Sequence, residues 1–364
     1  MFQRSDSPNA LTHALEARRA KRLPICDLTI ANPTIAGLPY ASDAILSAIA
    51  DARSLRYEPD PLGLRSAREA IAAMDGADPD RVFLTASTSE AYTTVLRLLC
   101  EPGDDVLVPA PSYPLFGPLA ELANVRAVPY PLAYDGAWHV DFSRLRTTER
   151  TRAIFCVSPN NPTGSVLSQA ELDRLSEFGL PIVVDEVFDA YRLGDPTRAR
   201  TDRVTMFRMG GLSKLALLPQ MKLAWTIVSG PSSDEAMRGL EWIGDAFLSV
   251  GTPVQHACAR LIEATKPTRE ALIVRLRENL DHLRTKLEGT ALTVLDVRGG
   301  WYACVRLPRT RTEEDWVLLL LEAGLLVHPG HFFDFEDEAF VVLSLLAERH
   351  EFDRGVAILG HCAQ

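Results

Sequence analysis

The sequence predicts an α/β fold in which helices cover a mostly parallel sheet, joined to a smaller α+β domain. Short β-branched apolar runs alternate with a turn and an amphipathic segment along most of the chain, a pattern typical of parallel strands connected by helices. The C-terminal third has fewer such runs and more helical periodicity. A length of 364 residues provides two or three domains with large cores.

The predicted strands follow one another through the first two thirds of the chain. Each is a short run of mainly apolar residues bounded by turn or helix signals. They are Val82–Thr85, Val106–Val108, Ala153–Val157, Ile182–Val184, Val204–Phe207 and Lys222–Val228.

Two helix starts can be placed directly after strands. Ser87 to Glu90 and Ser168 to Glu171 both fit the capping pattern S/T-x-x-E, and apolar periodicity follows each of them. These segments predict helices that cover the sheet.

The C-terminal part predicts a change of architecture. The stretch Ser232–Val250 is rich in charges and good helix formers, and it predicts a helix that connects the two domains. A capped helix over 312–324 precedes Leu325–His328, a Pro-Gly turn and the strand Phe340–Leu345. This mixture indicates the smaller α+β domain.

Composition excludes several classes of protein. A content of 47% hydrophobic and 24% charged residues excludes global disorder, and a net charge of −10 disfavours binding to nucleic acid. No apolar run approaches the roughly 18 residues of a membrane span, and the N-terminus lacks a secretory apolar core. The cysteines form no zinc-spaced cluster and predict buried thiols in a reducing compartment. We therefore expect a cytoplasmic protein without a metal site.

Four polar features fall where predicted strands end and the chain turns. In open α/β sheets ligands bind in the crevice at the carboxyl ends of the strands, so these features predict one shared site. Taken singly, each has a structural interpretation as a solvated lysine, a strong turn or a helix cap. The features are Thr85–Glu90, Ser158–Gly164, Asp185-Glu186 and Gly211–Lys214.

In this order the features resemble the fold-type I pyridoxal-phosphate (PLP) enzymes, and among them the class I/II aminotransferases. The matching motifs, spread over most of the chain, are Asp27–Pro33, Tyr57-Glu-Pro, Gly63, Pro111–Pro114, Asn160–Gly164, Asp185–Phe188, Ser213-Lys214 and Pro329-Gly330. The resemblance implies a large PLP-binding domain with a mostly parallel seven-stranded sheet at residues 36–245. An N-terminal arm and part of the small domain would occupy 1–35, and the C-terminal small domain 246–364.

The chemistry of PLP requires an amine and an acid, and the resemblance assigns both. Lys214 would hold the cofactor as an exchangeable imine, a Schiff base, and would then carry the proton; desolvation would lower its pKa. Asp185, directly after a buried apolar run, would keep the pyridine nitrogen protonated by charge attraction at low dielectric. These two residues are the predicted catalytic pair.

The remaining predicted contacts hold the cofactor by its edge, its face and its phosphate. Asn161 would donate to the ring 3-oxygen, and Tyr113 would stack on the ring. The phosphate would lie at a helix N-terminus with the hydroxyls of Ser87, Thr88 and Ser89, completed by Ser213 and Lys222. By resemblance Tyr57 reaches the cofactor of a partner subunit, which implies an obligate homodimer with shared sites.

Three positions depart from the family pattern. Phe188 replaces a tyrosine that usually donates to the ring 3-oxygen, so we expect Asn161 to bind that oxygen alone and the imine pKa to rise. Gly211 and Lys222 replace a phosphate-binding serine and arginine, exchanging a bidentate fork for a point charge. Val342 stands where an arginine usually binds the substrate α-carboxylate.

Without that arginine, the sequence does not determine how the substrate is bound or which class it belongs to. Either another cation binds the carboxylate, with Arg349, Arg306 and Arg192 as candidates, or the substrate is not a standard α-amino acid. A motif shifted by a residue or two would also explain the difference. In the segment 327–335, which resembles one that closes over the substrate, His328 is the better candidate for a core residue and His331 for a pocket residue.

The leading hypothesis is a PLP-dependent aminotransferase that moves an amino group from an amino donor to an oxo acid by ping-pong kinetics through Lys214. A PLP-dependent lyase, decarboxylase or racemase on the same scaffold is the alternative, because the same lysine and aspartate would serve all of them. A PLP-binding DNA-binding regulator is disfavoured, since only 26 residues precede Asp27.

Overall fold

The computed structural model describes residues 9–337 and 339–363, so residues 1–8 of the predicted N-terminal arm lie outside the described residues. The helices are Ala10–Ala20 (α1), Ser42–Ile49 (α2), Arg65–Asp75 (α3), Thr88–Leu99 (α4), Phe116–Leu122 (α5), Gln169–Ser176 (α6), Leu212–Leu215 (α7), Ser233–Phe247 (α8), Thr252–Ala264 (α9), Lys266–Leu287 (α10), Glu313–Glu322 (α11) and Arg349–Cys362 (α12). Short 3-10 turns lie at Pro33–Ile35, Ala52–Leu55, Pro79–Arg81, Asp189–Tyr191, Pro219–Met221 and Gly330–Phe333.

The strands alternate with these helices as the sequence predicts for an α/β fold. They are Cys26–Asp27 (β1), Val82–Thr85 (β2), Asp105–Ala110 (β3), Arg126–Tyr134 (β4), Trp138–Val140 (β5), Thr151–Val157 (β6), Ile182–Asp185 (β7), Met206–Gly211 (β8), Ala224–Ser229 (β9), Thr293–Val294 (β10), Tyr302–Arg306 (β11), Leu325–Leu326 (β12), His328–Pro329 (β13) and Phe340–Ser344 (β14).

A large sheet in the order β2-β9-β8-β7-β6-β3-β4-β5 forms the centre of the molecule. The neighbours β8, β7, β6, β3 and β4 are parallel, whereas β9 is antiparallel to both of its neighbours. The predicted fold class is confirmed, but the sheet has eight strands among the described residues and not seven. The additional strand, β5, pairs antiparallel with β4 at the edge.

Strand β4 was absent from the predicted strands because Pro129 and Pro131 interrupt its apolar pattern. Proline cannot donate to a ladder and is confined to positions near a sheet edge or at irregularities. Here β4 is the last parallel strand before the edge, and Pro131 accepts a hydrogen bond from Asp141 N–H outside the ladder (2.9 Å).

The two predicted helix caps are present, with different geometry. Ser168 and Glu171 form a complete capping box. Ser87 accepts from Glu90 N–H at 3.1 Å, but the Glu90 carboxylate accepts from Ala86 N–H instead of Ser87 N–H. Both caps begin a helix directly after a strand or its connecting turn.

The C-terminal third forms a smaller antiparallel sheet in the order β10-β11-β14-β13, covered by α10, α11 and α12. Strand β1 pairs parallel with β12, which ties the N-terminal segment to this part. The predicted helix Ser232–Val250 is realised as α8, which packs on α4 and β9 of the large sheet.

The helices after α8 pack against different sheets. Apolar residues of α9 join the core formed by α2, α3, β2 and β9. The leucines of α10 instead join the core of the small sheet, with Leu272, Leu276, Leu280 and Leu283 all buried. The packing therefore changes sheets between α9 and α10.

The cysteines are free thiols, as expected. Four of them are buried and two are half-buried; the half-buried ones are Cys100 and Cys362. Among the described residues, no helix combines the length and the apolar character that crossing a bilayer requires.

Candidate active site

The carboxyl ends of β6, β7 and β8 lie side by side and bring three of the four polar features together. The Asn160–Gly164 turn follows β6, Asp185 is the last residue of β7, and Lys214 lies in the short helix α7 directly after β8. The fourth feature, at the start of α4, follows β2, which lies on the other side of β9. Tyr92 of α4 connects this helix to the site by a hydrogen bond to Asp185. The predicted shared crevice is thus formed by non-consecutive segments.

Lys214 lies over two aromatic rings. Its Nζ is 4.4 Å from the ring centroid of Trp301 and 5.3 Å from that of Phe188, and both rings are buried. Burial lowers the pKa of Lys214 to about 8, against the opposing attraction of Asp185. The lowered pKa makes the neutral amine, which a nucleophile or a proton acceptor requires, more accessible near neutral pH than in an ordinary lysine.

Three side chains fix the backbone of the turn that carries Lys214. The Tyr191 hydroxyl donates to Lys214 O at 2.7 Å, and Arg269 donates to Leu215 O at 2.8 Å. Tyr40 donates to Leu217 O at 2.9 Å. Because these donors come from distant parts of the chain, tertiary packing sets the position of the lysine.

Asp185 is only 5% exposed, and its carboxylate makes two hydrogen bonds. Its Oδ1 accepts from Val187 N–H at 2.9 Å, and its Oδ2 accepts from the hydroxyl of Tyr92 at 2.8 Å. Burial raises the pKa of Asp185 to about 6, although both hydrogen bonds and the charge of Lys214 lower it. The group is an acid placed where a bound cation would stabilise its charged form.

The two adjacent asparagines have different environments. Asn160 holds the turn, since it accepts from the Ser112 hydroxyl (2.5 Å) and donates to Pro111 O (3.0 Å) and to the Thr163 hydroxyl (2.8 Å). Asn161 Oδ1 is buried without a hydrogen-bond partner among the described residues. An unpartnered amide oxygen in a crevice indicates a group that a ligand would satisfy.

Tyr113 and the start of α4 lie near Asp185. Burial raises the pKa of Tyr113, as does the charge of Asp185, whereas a hydrogen bond with Ser89 lowers it. Ser87 is the N-cap of α4, and Thr88 and Ser89 begin its first turn. The free N–H groups of a helix start, with hydroxyls beside them, are suited to an anion.

The other predicted phosphate contacts are accessible. Ser213 is half-buried in α7, and Lys222 is exposed with a left-handed backbone conformation at φ 52°. Neither side chain has a hydrogen bond or ion pair within residues 9–337 and 339–363. Tyr57 is 81% exposed and faces away from the core of its own chain.

Gly211 and Phe188, two of the departures, have structural correlates. A Cβ at Gly211 would lie 3.3 Å from Ala224 Cβ, so β9 approaches this position closely. Phe188 packs edge-on against Trp301, with ring centroids 5.3 Å apart, and offers no hydroxyl.

Val342 is fully buried in β14 between Cys304 and His328. Paired residues of adjacent strands face the same side, and Cys304 Sγ contacts Pro162 O at 3.4 Å in the Asn161 turn. Val342 therefore lies on the same face of the small sheet as Cys304, which contacts the turn that carries Asn161.

The three candidate arginines differ in their availability. Arg192 is paired with Asp189 at 2.6 Å, and Arg349 with Asp353 at 2.7 Å. Arg306 is exposed and makes no ion pair within the described part of the chain. It ends β11, two residues along the same face from Cys304.

The two histidines of the segment 327–335 have different partners. His328 is half-buried against the rings of Phe332 and Phe333, and burial lowers its pKa. His331 Nδ1 lies 2.8 Å from Glu313 Oε1 of α11, and the backbone N–H of His331 donates to the same oxygen. The His331 ring is therefore engaged with α11.

Sequence reasoning missed Tyr92, Tyr191 and Trp301. Tyr92 lies on an apolar helix face, and nothing local connects it to an acid 93 residues away. A tyrosine or tryptophan in such an apolar run looks like an ordinary core residue.

The described residues fit the cofactor that the resemblance implies. Three groups would each be completed by a ligand that carries an aldehyde, a ring cation and a polar edge. They are the buried Asn161 Oδ1 without a partner, the Lys214 amine with its lowered pKa and the Asp185 acid with its raised pKa. The start of α4 is suited to its phosphate.

The sequence of this chain is similar to those of known proteins. The family model described as aminotransferase class I and II matches residues 25–351. A glutamate-pyruvate aminotransferase AlaA of Haemophilus influenzae is 27% identical over 350 residues, covering 88% of this chain and 86% of that protein. An alanine aminotransferase of Mycobacterium tuberculosis is 29% identical over 341 residues, covering 85% and 79%.

Solved structures share the fold. An alanine aminotransferase from Pyrococcus furiosus superimposes with a TM-score of 0.86 at 23% identity, covering 96% of this chain and 95% of that one. A Thermus thermophilus aspartate aminotransferase variant gives a TM-score of 0.83 at 22% identity, covering 98% and 97%.

Proposed function

Because the chain belongs to the class I and II aminotransferase family, we propose that the crevice around Lys214 and Asp185 is its active site. The protein is a PLP-dependent aminotransferase, which moves an amino group from a donor to an oxo acid. One observation carries the assignment of the site: a lysine of lowered pKa lies directly after β8, and a buried aspartate of raised pKa ends the neighbouring strand β7.

The two residues have complementary tasks in this proposal. Bound PLP supplies an electron-withdrawing ring that makes the donor's α-hydrogen acidic. Lys214 would hold the cofactor through Nζ, and the same atom, once free, would accept a proton from the donor. Asp185 would bind the ring nitrogen and favour its protonated form by charge attraction in a buried setting. Trp301 and Phe188 exclude water from the amine.

The other predicted contacts complete the binding site. Asn161 binds the ring 3-oxygen and Tyr113 the ring face. The start of α4, with Ser87, Thr88 and Ser89, binds the phosphate together with Ser213 and Lys222. The position of Asn161 in the turn after β6 and the exposure of Lys222 support these roles.

A homodimer with shared sites is part of the proposal. Large apolar side chains are exposed on the single chain, with Leu55 at 90%, Tyr57 at 81% and Trp242 at 80%. Tyr57 lines one groove with Phe247 of α8. An exposed groove with these two aromatic side chains supports an interaction surface there, and a second copy would bring Tyr57 to the neighbouring phosphate.

The domain division and location are also proposed. Helix packing supports a large domain that extends through α9 and not only to residue 245, with the N-terminal segment tied to the small domain by β1 and β12. A cytoplasmic location remains a prediction.

The relatives' names suggest small donors such as alanine and glutamate. With Val342 in place of the arginine, the usual binding site for the substrate carboxylate is lost. Either Arg306 binds the carboxylate, or the donor lacks one. The comparisons favour transamination over the lyase and decarboxylase alternatives.

The experiment is a half-reaction. The purified protein loaded with PLP is mixed with single amino acids and with amines that lack a carboxylate. Bleaching of the visible band with one equivalent of oxo product per site supports the proposal. Catalytic release of ammonia or carbon dioxide without an acceptor would support the lyase alternatives instead, and a PLP band that maps to another lysine would refute the site.

A further inference from the structure

A tyrosine outside every predicted contact is bonded directly to the proposed acid. Tyr92 of α4 is 1% exposed, and its hydroxyl donates to Asp185 Oδ2 at 2.8 Å. The other carboxylate oxygen accepts from the backbone N–H of Val187. Tyr92 is therefore the side-chain donor to this acid within the described residues.

The ring of Tyr92 is held rigidly. It stacks on Phe155 at 5.6 Å with an interplanar angle of 18°, and it meets Phe116 edge-on at 5.3 Å. Phe116 in turn contacts the edge of Tyr113 at 6.4 Å. The phenol thus has a fixed direction, and the same aromatic group connects it to the residue proposed to stack on the cofactor.

A hydroxyl buried in an apolar core must be hydrogen-bonded whatever its role. If Tyr92 were purely structural, any acceptor would serve as its partner. The partner here is the one acid of the proposed site. Asp185 is otherwise influenced by Glu186, whose charge raises its pKa, and by Lys214, whose charge lowers it. A hydroxyl donor stabilises a carboxylate and not a carboxylic acid, so its bond acts on the charge state and the direction of Asp185.

We propose that Tyr92 is a positioning residue that keeps Asp185 ionised and aimed at the cofactor's ring nitrogen. The inference rests on the role proposed above for Asp185. Without the phenol the carboxylate is the stronger base, and the proton moves from the ring nitrogen toward Asp185. The ring then loses positive charge even though Asp185 itself is unchanged.

The test compares Tyr92→Phe with a matched control. Tyr130→Phe removes a phenol of equal burial, whose hydroxyl donates to the backbone of Phe155 at 2.8 Å and not to an acid. Each protein is loaded with PLP labelled with ¹⁵N in the ring, and the ring-nitrogen NMR shift is recorded at constant pH. The affinity of the unloaded proteins for pyridoxamine phosphate, which binds without a covalent bond, is measured in parallel.

In Tyr92→Phe we expect the nitrogen signal to move toward the unprotonated ring and the affinity to fall by roughly 10- to 100-fold, the range of a hydrogen bond to a charged group. Tyr130→Phe should change neither. An unchanged nitrogen signal in Tyr92→Phe, in a protein whose Asp185→Asn variant does shift, would overturn this inference alone. If Asp185→Asn also leaves the signal unchanged, the proposed role of Asp185 fails.

Should Tyr92→Phe not fold, site-specific replacement of Tyr92 by 3,5-difluorotyrosine tests the same bond in a protein of nearly the same shape. The fluorinated phenol is the stronger donor. The signal must then stay at, or move further toward, the protonated ring, and a shift toward the unprotonated ring would contradict the proposal.

Discussion

Asp185 should make the unloaded protein less stable near neutral pH, and its replacement by asparagine should reveal how much. The carboxyl is buried and its pKa rises from 3.8 to about 6 on folding. An acid whose pKa is raised by folding ionises at lower pH in the unfolded chain than in the folded one. The free energy of unfolding therefore falls as the pH rises from about 3.8 toward 6. Asparagine keeps the shape and can accept from Tyr92 without carrying a charge.

The magnitude follows from the two pKa values. The ionisation cost carried by Asp185 is about 1 kcal/mol at about pH 4.5 and about 3 kcal/mol at about pH 7.5. Asp185→Asn should therefore stabilise the unloaded protein by up to these amounts. The loss of the attraction between Asp185 and Lys214 makes both figures upper bounds.

The assay is urea unfolding of the PLP-free protein at the two pH values, with an unchanged m-value as the condition for comparison. The exposed Asp281→Asn serves as control and should give the same difference at both pH values. The reasoning is refuted if Asp185→Asn gives the same difference at both pH values, or if it lowers stability near neutral pH. The variant should also lose most activity when loaded.

The remaining predictions concern the lysine, its turn, the missing arginine and the dimer. The rate of PLP attachment to Lys214 should rise about tenfold per pH unit and level off near the pKa of about 8, and Lys214→Ala should abolish borohydride-reducible attachment; a rise that continues to pH 10 would contradict the lowered pKa. Tyr191→Phe should destabilise the protein by about 1 kcal/mol in urea unfolding and slow that attachment, because Lys214 O loses its donor. Val342→Arg should lower stability by about 3 kcal/mol, since the position is fully buried, and an excess of oxo acid should restore part of it in a thermal-shift measurement; no response to the oxo acid would show that the position does not face the substrate. Trp242→Asp should convert a dimer to a monomer in sedimentation analysis, and an unchanged sedimentation coefficient would place the interface elsewhere.

The elements that could be predicted are those with local signals. Val82–Thr85 was predicted with both ends correct, because a continuous apolar run is bounded by turn and cap residues. The predicted strand at 204–207 begins two residues early and ends four residues early. Met209 joins the strand through pairing with β7 and β9, and Gly210 and Gly211 join it through pairing with β9. The two prolines of β4 disfavour a strand, and pairing with the neighbouring strands β3 and β5 stabilises it.

Candidate site residues divide in the same way. Asp185 and Lys214 follow strands in recognisable motifs, so their types and order were visible. Asn160 and Asn161 have the same side chain next to one another, and only the contacts of the folded chain separate the one that holds the turn from the one left without a partner.

By itself, the sequence determined the alternation of strands and helices, the family and the chemical types of the groups at the strand ends, because each depends on residues close together in the chain. The tertiary structure alone decided which groups meet: Tyr92 with Asp185, the rings of Trp301 and Phe188 with Lys214, and Cys304 with the turn that carries Asn161. These contacts join segments far apart in sequence. Burial, which sets the pKa values of the lysine and the aspartate, exists only once those segments have packed and removed water from both groups.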